Sequence, residues 1–461
     1  MKSHATDMTT GSPVGHIIRF ALPALVGNIF QQIYNLADSI IVGRFVGANA
    51  LAAVGATASI TFLFFALCNG IASGGGIVVS QYYGAHEDDK VKNCIINTGL
   101  IMLMIPLLFG IIGYVCAPAL LTLMSTPAEI LPDAVLYIRC MCVGLLFVSL
   151  YNYVAGMLRA LGDSRSPLYF LILSTVINVV LDIVLVYFLK MGVRGAAYAT
   201  VLAQFISVVS CSLYAMKTNP YFRFRKKDFN ISGAMLYKIL HLGVPMSLQF
   251  AMIAVSGMAV QRVANSYGTL VVAAFTATNR IEQLIHQPYT TLGMSIATYC
   301  GQNFGAKKYD RVLAGYKKGL LIMACLSVVM IAVMQFFGDN IMRLFVSDPQ
   351  VVSLGAAGLR ITSLFYLVLG LIYVVRGVLT GIGDAFFALL NGFVEVLGRF
   401  TVPLIITQYM GSGAIGIWIA SGIVWFLSGT TAWLRFITYT ADLFGRKPRP
   451  VQWMRRGHST F

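Results

Sequence analysis

Asn28-Ile29-Phe30-Gln31-Gln32-Ile33-Tyr34-Asn35-Leu36-Ala37-Asp38-Ser39 lies inside an apolar run, Ile17 to Val42, that is long enough to cross a bilayer. Asn28, Gln31, Gln32, Asn35, Asp38 and Ser39 step at i, i+3, i+4, i+7, i+10 and i+11, so they share one helical face. Ile, Phe, Leu and Val cover the rest. A polar stripe like this must face protein or water. A carboxylate at membrane depth costs roughly 2.5–3.5 kcal/mol on insertion scales, so Asp38 is a functional candidate by default.

Outward from that stretch, the chain of 461 residues is 58% hydrophobic and only 11% charged, too few charges to clothe a soluble protein of this length. Apolar runs near 17–42, 52–80, 94–123, 134–158, 168–189, 195–216, 239–264, 270–299, 319–337, 353–381, 386–408 and 413–440 each suffice to span the hydrocarbon. The expectation is an all-α polytopic membrane protein with twelve spans. The polar first sixteen residues and the long apolar run behind them do not form a cleavable signal, so the first span is expected to stay.

Lys90, Lys92, Arg159, Arg165, Lys217, Arg223, Arg225, Lys226, Lys227, Lys307, Lys308, Arg311, Lys317 and Lys318 fall on one side with both termini. Arg44, Lys190, Arg194, Arg262 and Arg343 fall on the other. The positive-inside rule makes the first side cytoplasmic. The net charge of +16 thus reflects topology and anionic headgroups, and no nucleic-acid partner is expected. Cys68, Cys94, Cys116, Cys140, Cys142, Cys211, Cys300 and Cys325 have no CxxC or His at ligand spacing and read as small core residues, with no metal site among them.

The chain repeats itself. Gly47-Ala48-Asn49-Ala50-Leu51-Ala52-Ala53 resembles Gly268-Thr269-Leu270-Val271-Val272-Ala273-Ala274 at an offset of 221. The same offset relates Gln81, Gly84, Ala85 and Asp89 to Gln302, Gly305, Ala306 and Asp310, Gly162-Asp163 to Gly383-Asp384, and Gly192 and Gly195 to Gly413 and Gly416. One register kept over so many landmarks implies two six-span lobes in parallel repeat. The domain reading is 1–216 for the first lobe, 217–237 for a basic linker, 238–443 for the second lobe and 444–461 for a basic tail.

Asp38 and Asp182 have no acidic counterparts in the second lobe, where they align near Ala259 or Val260 and with Pro403. Ser174, Thr175, Asn178 and Asp182 form a second polar stripe, on the fifth span. Tyr137, Ser149, Asn152 and Tyr153 on the fourth span and Thr200 and Gln204 on the sixth supply uncharged oxygens around an Asp38–Asp182 pair. Either the pair couples to a cation, H⁺ or Na⁺, or the carboxylates are structural and satisfied by neighbouring hydroxyls; Asn152, Asn178 and Thr200 fit direct ligation and interhelical hydrogen bonding equally well. In the second lobe, Asn279, Glu282, Gln283, His286 and Gln287 share a face of the eighth span, and Glu282 has no basic partner on its own helix. Asn391, Glu395 and Arg399 step at i, i+4 and i+8, with Glu395 and Arg399 expected to pair structurally. Gln31, Asn35, Glu282 and Gln283 are candidates for lining a substrate cavity. No Walker A motif or catalytic triad stands out, so neither an enzyme nor a cofactor is expected.

Phe20-Ala21-Leu22-Pro23, Asn35-Leu36-Ala37-Asp38-Ser39, Ala52-Ala53-Val54-Gly55, Gln81-Tyr82-Tyr83-Gly84-Ala85, Arg159-Ala160-Leu161-Gly162-Asp163 with its echo Thr380-Gly381-Ile382-Gly383-Asp384, and Asn178-Val179-Val180-Leu181-Asp182 together resemble the multidrug and toxic compound extrusion (MATE) family, over Ile17 to about Tyr439. The resemblance implies a V-shaped pair of six-helix lobes in the plasma membrane of a prokaryote, expelling organic cations or other amphipathic, drug-like compounds in exchange for H⁺ or Na⁺, as a monomer among lipids. In the DinF-like branch, with its MepA-like pumps, the coupling site is in the first lobe, here carried onto Asp38, Asn178 and Asp182 with Tyr137, Asn152 and Thr200 around them. The branch that couples through acids on its seventh and tenth spans is disfavoured, since neither run has one. A lipid-linked precursor flippase of the same superfamily would need several basic residues in its cavity, where Arg399 is nearly alone. A channel or a non-transporting receptor is the alternative from another class.

Overall fold

The computed structural model describes residues 4–124 and 126–441, apart from the side chains of residues 36–39, 48, 51, 227, 254 and 385. The tail 444–461 therefore lies outside the described residues. Thirteen α-helices follow in order: α1 Pro13–Phe45, α2 Ala48–Gly84, α3 Asp88–Leu123, α4 Leu131–Ala160, α5 Arg165–Asp182, α6 Val193–Thr218, α7 Gly233–Asn265, α8 Thr269–Gly305, α9 Tyr309–Arg343, α10 Pro349–Ser363, α11 Tyr366–Gly381, α12 Ala385–Leu404 and α13 Gly416–Thr440. No strand occurs among the described residues.

Ten of these helices, counting the π-turns that extend α5 and α12, are long and apolar enough to span, and α10–α11 form an eleventh span bent by 52°. The 37 residues of α8 have the length, but its stripe of Asn, Arg, Glu, Gln and His lowers its hydropathy. It completes the set of twelve. The α10–α11 break, unmarked by Pro or Gly, comes from α9: Gln335 Nε2 donates to the Arg360 carbonyl at 2.8 Å, and the Leu364 amide turns to Ile361 instead. The linker is shorter than its composition suggests, because Ser232 caps α7, accepting from the Met235 amide at 3.4 Å, and α7 begins at Gly233.

The repeat extends to backbone conformation. Gly47 and Gly268, His86 and Lys307, Gly162 and Gly383, Lys190 and Gly411, and Gly192 and Gly413 all take positive φ, each pair 221 residues apart. A π-turn follows both α5 and α12, at Ile183–Phe188 and Ile405–Tyr409. Asp163 accepts from the Ser166 amide at 3.0 Å, and Asp384 from the equivalent Phe387 amide at 3.2 Å. Identical turn geometry at equivalent places fixes equivalent helix directions, which makes the lobes α1–α6 and α7–α13 copies of one fold.

The lobes meet through α1, α2, α7 and α8, in the half of the molecule that carries the described ends of the chain. Gln81 Nε2 donates to the Gly381 carbonyl at 2.9 Å, and its repeat partner Gln302 donates to the Ala160 carbonyl at 3.1 Å. Helix α2 crosses α7 at Gly70 and Gly74, where a Cβ would lie 2.2 Å from the Ser247 nitrogen and 2.5 Å from the Gly243 nitrogen. Asn28 reaches Thr291 at 2.9 Å. Away from that end, a Cβ on Gly47, Gly55, Gly257 or Gly268 would meet nothing within 4 Å.

An N-terminal segment straps this closed seam. The Thr6 amide donates to Leu161 of the first lobe at 3.0 Å, while the Met8 amide donates to Gln302 Oε1 of the second at 2.9 Å. Arg311 donates to the carbonyls of Met8 at 3.0 Å and Gly11 at 2.9 Å, and Lys308 to that of Thr9 at 3.0 Å. Burial pushes the Asp7 carboxyl up, but hydrogen bonds from Thr9 and the nearby His86 and Lys308 outweigh it and hold the group below its ordinary value. A lowered value favours the docked strap above the unfolded pKa, and that contribution is lost as pH falls through the folded one. Arg311→Leu removes hydrogen bonds to a charged donor worth about 1.5–3 kcal/mol each. Amide exchange of residues 6–11 should then accelerate at least tenfold; unchanged protection would show that Arg311 does not hold the strap.

Candidate polar sites in the two lobes

Helices α1 and α5 run parallel and touch where Gly27 lets Leu168 and Leu171 approach, 3.6 and 3.5 Å from the position of a Cβ. Eleven residues further along both helices, Asp38 comes level with Asp182. The Asp38 side chain lies outside the described residues, so only its backbone position enters here. Asp182 is fully buried, with Asn178 one turn before it, also at 0% exposure. Asn178 Nδ2 donates to Thr200 Oγ1 of α6 at 3.5 Å, while its Oδ1 is buried without a protein partner. Tyr137 of α4 is buried beside Ile41 and Val42 of α1 and Val186 beyond α5. The structure thus brings Asn178, Asp182 and Thr200 together, with Tyr137 at the same level.

Asn152 is half-buried and donates to the Val148 carbonyl of its own helix at 2.8 Å. Thr175 likewise bonds back to Leu171 at 2.9 Å. Gln31 Nε2 and Asn35 Oδ1 lie 3.5 Å apart, with Asn35 exposed. Of the cysteines, Cys116 and Cys325 are exposed, contrary to a uniform core role.

The second lobe holds a charged network wider than the expected ion pair. Glu395 does meet Arg399 at 3.7 Å, but its closer partner is Arg376 of α11 at 3.1 Å. Asn391 accepts from Arg376, accepts from Gln249 at 3.1 Å and donates to Ser428 at 2.6 Å. Arg399 also acts electrostatically on Glu282, which therefore has a basic neighbour on another helix. Glu282 Oε1 and His286 Nε2 are buried without protein hydrogen-bond partners, whereas Gln283 is exposed. The His286 ring stands 5.6 Å from that of Trp425 and 6.3 Å from that of Tyr373.

Arg376 is the residue the sequence reading missed, and it corrects Arg399 as nearly the sole deep cation. Inside Ile372-Tyr373-Val374-Val375-Arg376-Gly377 it has no acid at i±3 or i±4, so only the fold pairs it. Arg376→Leu would leave Glu395 short of its nearer partner, and breaking a buried pair typically costs about 3–5 kcal/mol. The detergent-solubilised variant should unfold at a markedly lower temperature; a midpoint equal to wild type would mean Arg399 alone compensates the acid.

Comparison with known proteins agrees with this architecture. The chain matches the family described as MatE over residues 23–184 and 245–400, one block in each lobe. It is 31% identical over 438 residues to the probable multidrug resistance protein YpnP of Bacillus subtilis, covering 94% of this chain and 96% of that protein. It is 23% identical to the multidrug export protein MepA of Staphylococcus haemolyticus, over 89% of each. A solved structure described as the outward-facing conformation of a multidrug resistance MATE family transporter superposes with a TM-score of 0.89 at 23% identity, covering 96% of this chain and 99% of that one. With the match in both lobes and the relationship along almost its whole length, the chain belongs to the MATE family of multidrug efflux transporters.

Proposed function

We propose that the protein is a secondary active antiporter, exporting amphipathic or cationic organic compounds in exchange for H⁺ or Na⁺ by alternating access, as a monomer with both termini in the cytoplasm. The observation that carries this reading is a fully buried Asp182 in a polar cluster, within a pair of lobes that meet in close backbone contact at one end. A buried carboxylate binds a proton or Na⁺ to shed its charge, and a change of charge at a helix interface biases which end is closed. The flippase reading gains a second cation in Arg376, but Glu395 pairs with both arginines, at 3.1 and 3.7 Å, which leaves neither free for a pyrophosphate. Uptake of ethidium into inverted proteoliposomes, with pH and Na⁺ gradients imposed separately, tests the proposal. Uptake driven by neither gradient would refute it.

Glu282 is assigned to the recognition of cationic substrates. Glu282→Gln should reduce efflux of ethidium about tenfold, the effect of one lost charge-assisted contact of about 1.4 kcal/mol, and leave a neutral substrate nearly untouched. Equal losses for both would make Glu282 structural.

A further inference from the structure

We propose that the seam between α5 and α6 is a proton path joining Asp182 to the closed end of the molecule at Asp163, separate from the substrate cavity between the lobes. It rests on the reading of Asp182 as the cation-accepting group.

The two helices are antiparallel, and three contacts set their register. Asn178 meets Thr200 at 3.5 Å, the Ser207 hydroxyl donates to the Phe170 carbonyl at 3.2 Å, and the Ser166 hydroxyl lies 3.4 Å from the Tyr214 hydroxyl. Ser166 also donates to Asp163 at 2.5 Å. Between the first two rungs, one turn before Asn178 and one turn after Thr200, the register sets Ser174 opposite Gln204. A line of polar groups therefore runs from Asp182 through Asn178, Ser174 with Gln204, and Ser207 to Ser166 and Asp163, with every member at 9% exposure or less.

Three of these groups carry buried oxygens with no protein partner: Asn178 Oδ1, Ser174 Oγ and Gln204 Oε1. Thr175 and Thr218 bond back to carbonyls of their own helices, at 2.9 and 2.8 Å, whereas Ser174 does not. Buried polar oxygens left without a protein partner are the places where single bridging waters bind, and in this proposal waters fill the steps between them. A proton leaving Asp182 can then hop from water to hydroxyl to water, each oxygen accepting one proton and passing on another, with the amide oxygens anchoring the waters. Rungs of 3.2–3.5 Å leave no width for a hydrated metal ion.

The second lobe supplies an internal control. At the 221-residue offset, Ser174, Asn178, Gln204 and Tyr214 become Glu395, Arg399, Trp425 and Arg435. There Arg399 pairs with Glu395 at 3.7 Å, Asn391 bonds Ser428 at 2.6 Å and Arg435 pairs with Asp384 at 2.7 Å. Among the described residues, no side chain of α12 or α13 has a buried atom left without a partner. The seam is sealed in one lobe and left polar and unsatisfied in the other.

The test uses the full chain in proteoliposomes, with ethidium as substrate and a pH dye in the lumen. Gln204→Leu combined with Ser174→Ala should slow pH-driven ethidium transport at least tenfold and raise its solvent deuterium isotope effect, with equilibrium ethidium binding unchanged. Gln204→Asn, which keeps an amide oxygen, should restore most of the rate. If the double variant does not fold, Ser207→Ala at the 3.2 Å rung should give the same slowing and isotope effect. Wild-type rates in these variants, equal losses in Gln204→Asn and Gln204→Leu without an isotope effect, or transport driven by Na⁺ alone would overturn the proposal. Asp182→Asn in parallel separates the two levels, since its transporting normally would instead defeat the coupling reading.

Discussion

Asp182→Asn is expected to abolish gradient-driven efflux while leaving the protein folded and inserted, and Asp38→Asn is expected to do the same. Asp182 has no exposed surface, and its neighbours Asn178 and Thr200 are neutral. An ionised carboxylate there bears the cost of burying a charge in low dielectric, which binding a cation offsets. Amide isosteres remove the charge without changing volume, so helix packing should survive. The site can then no longer report the cation gradient to the lobes. A loss of at least a hundredfold in concentrative uptake, with normal expression and an unchanged unfolding midpoint, is the expected pattern. Wild-type accumulation by both single variants would show that the pair does not couple.

The second large effect should come from the closed seam. A Cβ on Gly84 would lie 1.8 Å from the Gln302 carbonyl oxygen, and one on Gly305 would lie 1.8 Å from the Gln81 carbonyl oxygen. Both obstructions are backbone, so no side-chain rotation relieves them and the lobes must part. Overpacking typically costs about 1–3 kcal/mol, a roughly five- to 150-fold shift between two states. Gly84→Val or Gly305→Val should therefore depopulate the state closed at this end, make a Gln81→Cys or Gln302→Cys thiol in the same background reactive to a water-soluble maleimide, and collapse transport. Because the two positions share one contact, the double change should add little to either alone. Full transport in both single variants would mean that this closure is not part of the cycle.

Much of this architecture was legible in the chain. Apolar length gave the spans, and the echo of Gly162-Asp163 in Gly383-Asp384 gave the repeat, because a turn that needs a positive φ and an aspartate cap leaves a mark in sequence. The polar stripe through Asn178 and Asp182 was legible because its spacing matches the helix and its chemistry does not match lipid. Other features depended on neighbours distant in sequence. Arg376 finds Glu395 across helices, Gln335 breaks α10–α11 from a different helix, and residues 6–11 take their role from Leu161, Gln302, Asn303, Lys308 and Arg311. No local spacing encodes such contacts. That Glu282 buries a carboxylate oxygen while Gln283 beside it is exposed is likewise a matter of helix rotation that a polar stripe leaves open.

The central claim is that charge at Asp182 sets which end of the molecule is closed. Spin labels at Asn49 and Thr269, exposed at the ends of α2 and α8 remote from the closed seam, would read it directly by pulsed dipolar spectroscopy in lipid. In the wild type, acidification or added Na⁺ should shift the distance distribution toward shorter values as that end contracts, and in Asp182→Asn the distribution should not respond. A variant that shifts as the wild type does would contradict the claim.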